Sequence, residues 1–326
     1  MFWTFLAIIL VVLIALPFWR EWRRDKVDVL RDNLVQRDTD ANGIAINEGF
    51  AALSDGITYY RWHGKTSDSV IVLIHGLTTP SWVFSGLVRG LTMMGYQVLC
   101  YDLYGRGLSD APRDRQTPQF FLRQLTDLLD ALGLEGQISL MGYSMGGMIA
   151  TLFAGTYPDR VDRMILLAPG GIDYTPAEPL HTAGLTGLLG DWLWGLWGPR
   201  TIRKAAERDA AGPTVVVDIN ERMPRETGRR GYARSVLSAH RETLLVDLED
   251  VYRDVGRTDI PVLAIWGAED RVIPQTAIGT LTLWNRGARH HVVKRAGHGL
   301  PHTAPNEVIG AITRFLKEVP RRAPIK

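Results

Sequence analysis

Apolar and polar positions along the chain fall into three regimes. In the first, Phe2 to Trp19 contains no charged side chain. A helix over this run, at about 1.5 Å per residue, is roughly 27 Å long, close to the thickness of bilayer hydrocarbon. The second regime begins at Gly49, where short apolar runs alternate with amphipathic stretches. Gly49 to His63 alternates about Ser54-Asp55-Gly56, a hairpin signal. Ser69 to Ile74, Gln97 to Tyr101, Ile138 to Met141 and Met164 to Leu167 read as buried strands. Trp82 to Met94, the run to Leu134 capped by Thr117, and the stretch from Met145 read as helices. Strands alternating with helices predict a mostly parallel sheet with helices on both faces. The third regime, from about Ile172 to Leu248, loses that rhythm. It is mostly helical, broken by Gly and Pro, and reads as an insertion laid over the sheet. The alternation then resumes with a strand at Pro261 to Trp266, a helix near Thr276 to Trp284, a strand near His290 to Val293, and a last helix from Asn306 to Val319.

Composition changes this picture only at the N-terminus. The chain has 326 residues, 46% hydrophobic and 22% charged, with a net charge of +2, so nothing points to nucleic acid. Its single cysteine, Cys100, sits in an apolar run and reads as a small hydrophobe. The first apolar run lacks the basic start and small-residue cleavage site of a signal peptide, and it lacks the polar face of a core helix. Arg20, Arg23, Arg24 and Lys26 follow it and no basic residue precedes it. The expectation is an uncleaved single-pass anchor with the body in the cytoplasm. The chain divides into an anchor (1–19), a juxtamembrane segment (20–48), an α/β core (49–171 and 249–319), a helical cap (172–248) and a basic tail (320–326).

The chemistry centres on Gly142-Tyr143-Ser144-Met145-Gly146, a G-x-S-x-G pattern between a strand and a helix. A strand turning directly into a helix holds its corner residue in a strained conformation. The Ser144 hydroxyl is thereby exposed at a helix N-terminus, whose dipole favours developing negative charge. A serine needs a base, and the base needs an orienting group. These belong in loops after strands, at the carboxyl edge of the sheet. Asp270 follows the strand ending at Trp266, with Glu269 beside it as a rival acid, and His298 follows the next strand in Ala296-Gly297-His298-Gly299. The order Ser, Asp, His suits the scaffold. His298 and His302 are separated by Gly299 and Pro301, which argues against a helical metal pair, and no metal or cofactor is implied. Gly105-Arg106-Gly107 lacks the third glycine of a dinucleotide fingerprint.

With these motifs the chain resembles the α/β-hydrolase superfamily over about Gly49 to Val319. His75-Gly76, the elbow, Gly267-x-x-Asp270 and Gly297-His298 stand in family order. The resemblance implies an α/β-hydrolase fold with a helical cap. It also implies an oxyanion hole from the backbone N–H groups of Leu77 and Met145, with His75 holding the loop that presents Leu77. Ala233 to Ala239 is similar to the cap helix of monoacylglycerol lipases and carbon–carbon bond hydrolases, and the anchor resembles that of membrane-bound monoacylglycerol lipases. The implied activity is hydrolysis of carboxylic esters, of apolar acyl or monoacylglycerol type, by Ser144, Asp270 and His298. Hydrolysis of a carbon–carbon bond in a ring-cleavage product and a low-turnover ligand receptor are the rivals. Oligomeric state is left open. Tyr143 and Trp194 are expected at the substrate. For Trp194 the reason is positional: if Leu185 to Trp197 is one helix, Leu185, Leu188, Leu189, Trp192 and Leu196 form a packing stripe and Trp194 faces the opposite way.

Overall fold

The computed structural model describes residues 1–32, 46–67, 69–176, 178–210, 212, 214–216, 218–319 and 322. The linker half of the juxtamembrane segment and all of the basic tail except Arg322 therefore lie outside the described residues.

The longest apolar run forms one helix, α1 (Phe2–Trp22), with a mean hydropathy of 2.5 in its most apolar window, 6% of which is buried. It is the one described helix long and apolar enough to cross a membrane. After α2 (Val27–Asp32), β1 (Ile46–Leu53) and β2 (Gly56–His63) form the expected antiparallel hairpin. β3 (Val70–Ile74) leads through a 3₁₀ turn at Ser81–Phe84 into α3 (Ser85–Met93), then β4 (Gln97–Tyr101). In α4 (Pro118–Ala131), Thr117 Oγ1 accepts the Phe120 N–H at 3.2 Å and Pro118 occupies the first turn, where its missing donor costs nothing. β5 (Ile138–Tyr143), α5 (Met145–Thr156) and β6 (Val161–Leu167) follow.

Between β6 and the next strand the chain is helical: α6 (Leu180–Leu185), α7 (Gly187–Ala210), α8 (Ile219–Gly228), α9 (Tyr232–Ala239) and a π-helical turn at His240–Leu244. α10 (Glu249–Gly256) returns against α5. β7 (Val262–Gly267), α11 (Thr276–Trp284), β8 (Arg289–Val293), the short α12 (Leu300–Thr303) and α13 (Pro305–Glu318) complete the described chain.

The eight strands form one sheet in the order β1-β2-β4-β3-β5-β6-β7-β8. β1–β2 and β2–β4 are antiparallel and the rest parallel. Period-two side-chain alternation divides each central strand between two cores. Val70, Val72 and Ile74 of β3 face the cluster built on α4 and α5, whereas Ile71 and Leu73 face the cluster built on α3 and α13. Strands buried on both faces need continuous apolar runs, which is how β3 and β5 read in sequence. Parallel strands in this order bring the loops after β3, β5, β7 and β8 to one edge.

The segment after α1 is bound to the body. Asp25 O accepts the Arg230 N–H at 2.8 Å. Glu21 accepts the Gly231 N–H. Arg31 donates through Nε to Leu108 O and through Nη2 to Asp110, both at 2.9 Å. This strap lies between the loop after β4 and the α8–α9 corner.

Candidate active site

β5 ends at Tyr143 and α5 begins at Met145, so Ser144 alone makes the corner. It has φ 53° and ψ −119°, a region L-residues rarely enter. The surroundings fix it there: Ser144 N–H donates to Leu167 O at 2.9 Å, and its carbonyl accepts from Gly147 at 2.9 Å and Gly170 at 2.8 Å. The two elbow glycines permit the close approach. A Cβ on Gly142 would meet the backbone of Gly146 and Gly147, and one on Gly146 would meet that of Ile74 and His75.

The loops after β7 and β8 are joined to each other: Ala268 N–H donates to Val293 O at 3.0 Å and Glu269 N–H to Ala296 O at 2.9 Å. This brings Asp270 Oδ2 to 2.8 Å from His298 Nδ1, while His298 Nε2 lies 2.9 Å from Ser144 Oγ. Asp270 Oδ1 accepts two backbone N–H groups, from Val272 at 2.8 Å and Ile273 at 3.0 Å. Of the two neighbouring acids, Asp270 is buried beside His298 and Glu269 is exposed. With Asp270 as acceptor, Nδ1 carries the imidazole proton and Nε2 is left to accept from the serine hydroxyl.

Above the elbow, His75 is fully buried. Its Nε2 accepts the Leu103 N–H at 2.8 Å and its Nδ1–H donates to Gly76 O at 2.9 Å. Burial lowers its pKa to about 4, so it is a neutral strut between the loops after β3 and β4. In none of the turn, loop and cap hydrogen bonds of the described residues does the N–H of Leu77 or of Met145 donate.

Sequence reasoning missed Arg106. Its fully buried guanidinium donates through Nε to Leu77 O at 2.8 Å, through Nη1 to Tyr104 O at 2.7 Å and Gln116 Oε1 at 2.5 Å, and through Nη2 to Ser235 O of α9 at 3.4 Å. Tyr232 of the same helix donates its hydroxyl to Thr78 O at 2.8 Å. The loop carrying Leu77 and Thr78 is thus held by Arg106 of the loop after β4 and by Tyr232 of α9. The one signal in the sequence is an arginine between two glycines after a strand, a pattern that by itself resembles a partial nucleotide motif.

The structure corrects the reading of the cap helix. Trp194, expected to face outward, is 3% exposed, and its indole N–H donates to Ala233 O at 2.8 Å. Three residues expected to pack, Leu185, Leu188 and Leu189, are exposed at 66%, 87% and 59%. The cause is a break: α6 ends at Leu185 and α7 restarts at Gly187, which has φ 54°, so a single 3.6-residue register does not run through the segment. Trp194 is cap core. Tyr143 is 7% exposed and packs its ring 5.3 Å from that of His298, a neighbour of the base more than a wall of open space.

Residues 69–305 match the family described as alpha/beta hydrolase fold. The chain is 29% identical over 274 residues to a 2-hydroxy-6-oxo-6-phenylhexa-2,4-dienoate hydrolase of Comamonas testosteroni, covering 82% of this chain and 93% of that one. It is 30% identical over 265 residues to a 2-hydroxymuconate semialdehyde hydrolase of Pseudomonas putida, covering 78% and 90%. Among solved structures, an enol-lactonase from Burkholderia xenovorans superposes with a TM-score of 0.69 at 22% identity, over 82% of this chain and all of that one. A putative lipase from Acinetobacter baumannii gives 0.68 at 18% identity, over 84% and 91%. Sheet order, elbow and sequence match agree: this chain belongs to the α/β hydrolase fold family, and it is a hydrolase of that fold.

Proposed function

We propose that the protein is a membrane-anchored serine hydrolase that cleaves carboxylic esters through an acyl-enzyme on Ser144. The observation that carries this reading is the hydrogen-bonded chain from Ser144 Oγ through His298 to Asp270. As Ser144 Oγ attacks the ester carbonyl, its proton passes to His298 Nε2, and the Asp270 carboxylate holds the imidazolium that forms. The oxygen of the tetrahedral adduct takes up the charge between the N–H groups of Leu77 and Met145, at the N-terminus of α5. Each such donor is worth roughly 3 kcal/mol. Collapse breaks the bond to the leaving alkoxide, which takes the proton from His298. A water then gives its proton to His298 and its oxygen to the acyl carbon, and Ser144 leaves reprotonated.

An ester is preferred as substrate because the chain carries an apolar helix of bilayer length with Arg20, Arg23, Arg24 and Lys26 directly after it. That arrangement suits an enzyme working beside lipid, with the body on the cytoplasmic side. The second reading, hydrolysis of a carbon–carbon bond in a 2-hydroxy-6-oxo dienoate, is favoured by the names of the Comamonas and Pseudomonas relatives. Such a substrate brings a carboxylate that needs a cation. Arg106, the buried guanidinium bound to the Leu77 carbonyl, already spends every nitrogen on protein oxygens.

The test is turnover by the full-length enzyme of an ester panel varied in acyl length and alcohol, beside the phenyl dienoate. Ester turnover exceeding dienoate turnover supports the proposal, and the reverse order replaces it with the second reading. Labelling by a fluorophosphonate probe should be abolished in Ser144→Ala. Labelling that persists there would remove Ser144 from its role.

A further inference from the structure

We infer that the α6–α7 corner is a second membrane-embedded element, seated in the lipid leaflet that the C-terminal half of α1 crosses. The inference rests on the anchor reading of α1 and adds to it. Trp192 of α7 donates its indole N–H to Leu13 O of α1 at 3.1 Å. One turn further along both helices, Gly195 lies so close to Pro17 that a Cβ there would be 3.0 Å from the proline ring. Leu13 precedes Arg20, the first charged residue, by seven residues. At 1.5 Å per residue that is about 10 Å of helix. Any depth that places α1 in hydrocarbon therefore carries Trp192 below the level of the first basic side chain.

The surface around Trp192 suits that position. Leu185, Leu188, Leu189 and Trp197 are 66%, 87%, 59% and 48% exposed. An apolar cluster of this kind on a folded body marks a partner surface. Here it is continuous with the bare surface of α1, and this continuity identifies the occupant as lipid. Between Leu185 and Trp197 the one charged residue is Asp191, and Arg241 pairs with it at 2.5 Å. The same guanidinium donates to the carbonyls of Ala183, Gly184 and Gly187, so the corner is bound to the body. Beyond Trp197 the helix turns basic, with Arg200, Arg203, Lys204 and Arg208. Apolar and Trp-rich at one end and basic at the other, α7 has the composition of a helix that lies in the interface with its apolar part 5–10 Å into the acyl boundary.

The test uses the full-length protein in vesicles of phosphatidylcholine and phosphatidylglycerol. Leu188→Cys, Ile9→Cys and Met93→Cys variants each carry an environment-sensitive fluorophore. Cys100 is buried and does not compete. Met93 ends α3, just before β4 and thus on the edge of the sheet opposite the catalytic loops. Lipids brominated along the acyl chain should quench the Leu188 and Ile9 labels several-fold more than the Met93 label. Quenching at Ile9 with the Leu188 label open to aqueous iodide would overturn the inference and leave the anchor intact. A Leu188 label shielded from both quenchers, with energy transfer between copies, would also overturn it in favour of a self-contact. Absence of lipid quenching at Ile9 would remove the anchor itself, and the inference with it.

Discussion

On the proposed mechanism, the arrangement around Ser144 separates residues that react from residues that aim. Asp270 accepts three hydrogen bonds, and only one of them comes from His298. Asp270→Asn keeps the shape but presents a donor where Nδ1–H needs an acceptor, which forces the wrong imidazole tautomer. kcat should fall on the order of 10⁴-fold. Glu269→Gln, on an exposed neighbour, should leave kcat within about two-fold, as surface substitutions do. Steady-state kinetics on a soluble ester reads both. Arg106 touches no reacting atom; in that mechanism it would aim the Leu77 amide by holding the carbonyl of the same residue. Arg106→Met should therefore lower kcat by ten- to a hundred-fold, about the worth of one misplaced oxyanion donor, with KM little changed, and Arg106→Lys should recover part of it. A purely structural role would instead lower thermal stability without that split. The hydrogen-bonded trio of Ser144, His298 and Asp270 was legible because each member sits in a short motif with its own strand before it. Arg106 was not, because its acceptors come from residues 77, 104, 116 and 235, which only the fold brings together.

At the scale of elements, the continuous apolar runs of β3 and β5 predict buried strands and the split of β3 between two cores confirms them. The helical segment between β6 and β7 is less legible. A single stripe over Leu185 to Trp197 requires one unbroken helix, whereas the break at Gly187 leaves Leu185, Leu188 and Leu189 exposed and Trp194 buried. Trp194→Ala should lower stability by about 3–5 kcal/mol, the usual cost of removing a buried aromatic, and should also leave the Ala233 carbonyl without its donor. Leu188→Ala should cost under about 0.5 kcal/mol in detergent. Urea unfolding distinguishes them. The strap makes a similar distinction among truncations. A chain starting at Glu21 keeps the contacts of Glu21, Asp25 and Arg31 with the body; one starting at Asn33 loses them. The shorter chain should melt several degrees lower at equal catalytic competence, as differential scanning calorimetry would read. A shared melting temperature would show that the strap adds nothing to the body's stability.

For the molecule as a whole, burial sets the response to pH. His75, His240 and His302 are each lowered from 6.5 to about 4 by desolvation. The unfolded chain binds protons that the folded one refuses, so their contribution is fully present above pH 6.5 and is lost as pH falls toward 4. Glu226, buried in α8 where it accepts the Gly107 N–H, is raised from 4.5 to about 7 and acts oppositely, its contribution being lost as pH rises through 7. Between pH 4.5 and 6.5 the unfolding free energy should rise with pH by the equivalent of about two protons. Each proton is worth about 1.4 kcal/mol per pH unit. His302→Gln should flatten that slope and Glu226→Gln should steepen it, as measured by urea titrations at stepped pH. The sheet order has one more consequence, in time. The bond between Ser144 and His298 spans 154 positions of sequence, and His298 stands 28 residues from the end of the 326-residue chain. Synthesis runs from the N-terminus, so on the proposed reading α1 reaches the bilayer first and Ser144 is built long before His298 exists. On that reading the growing chain is docked but inert until the residues after β8 bring His298 to Ser144.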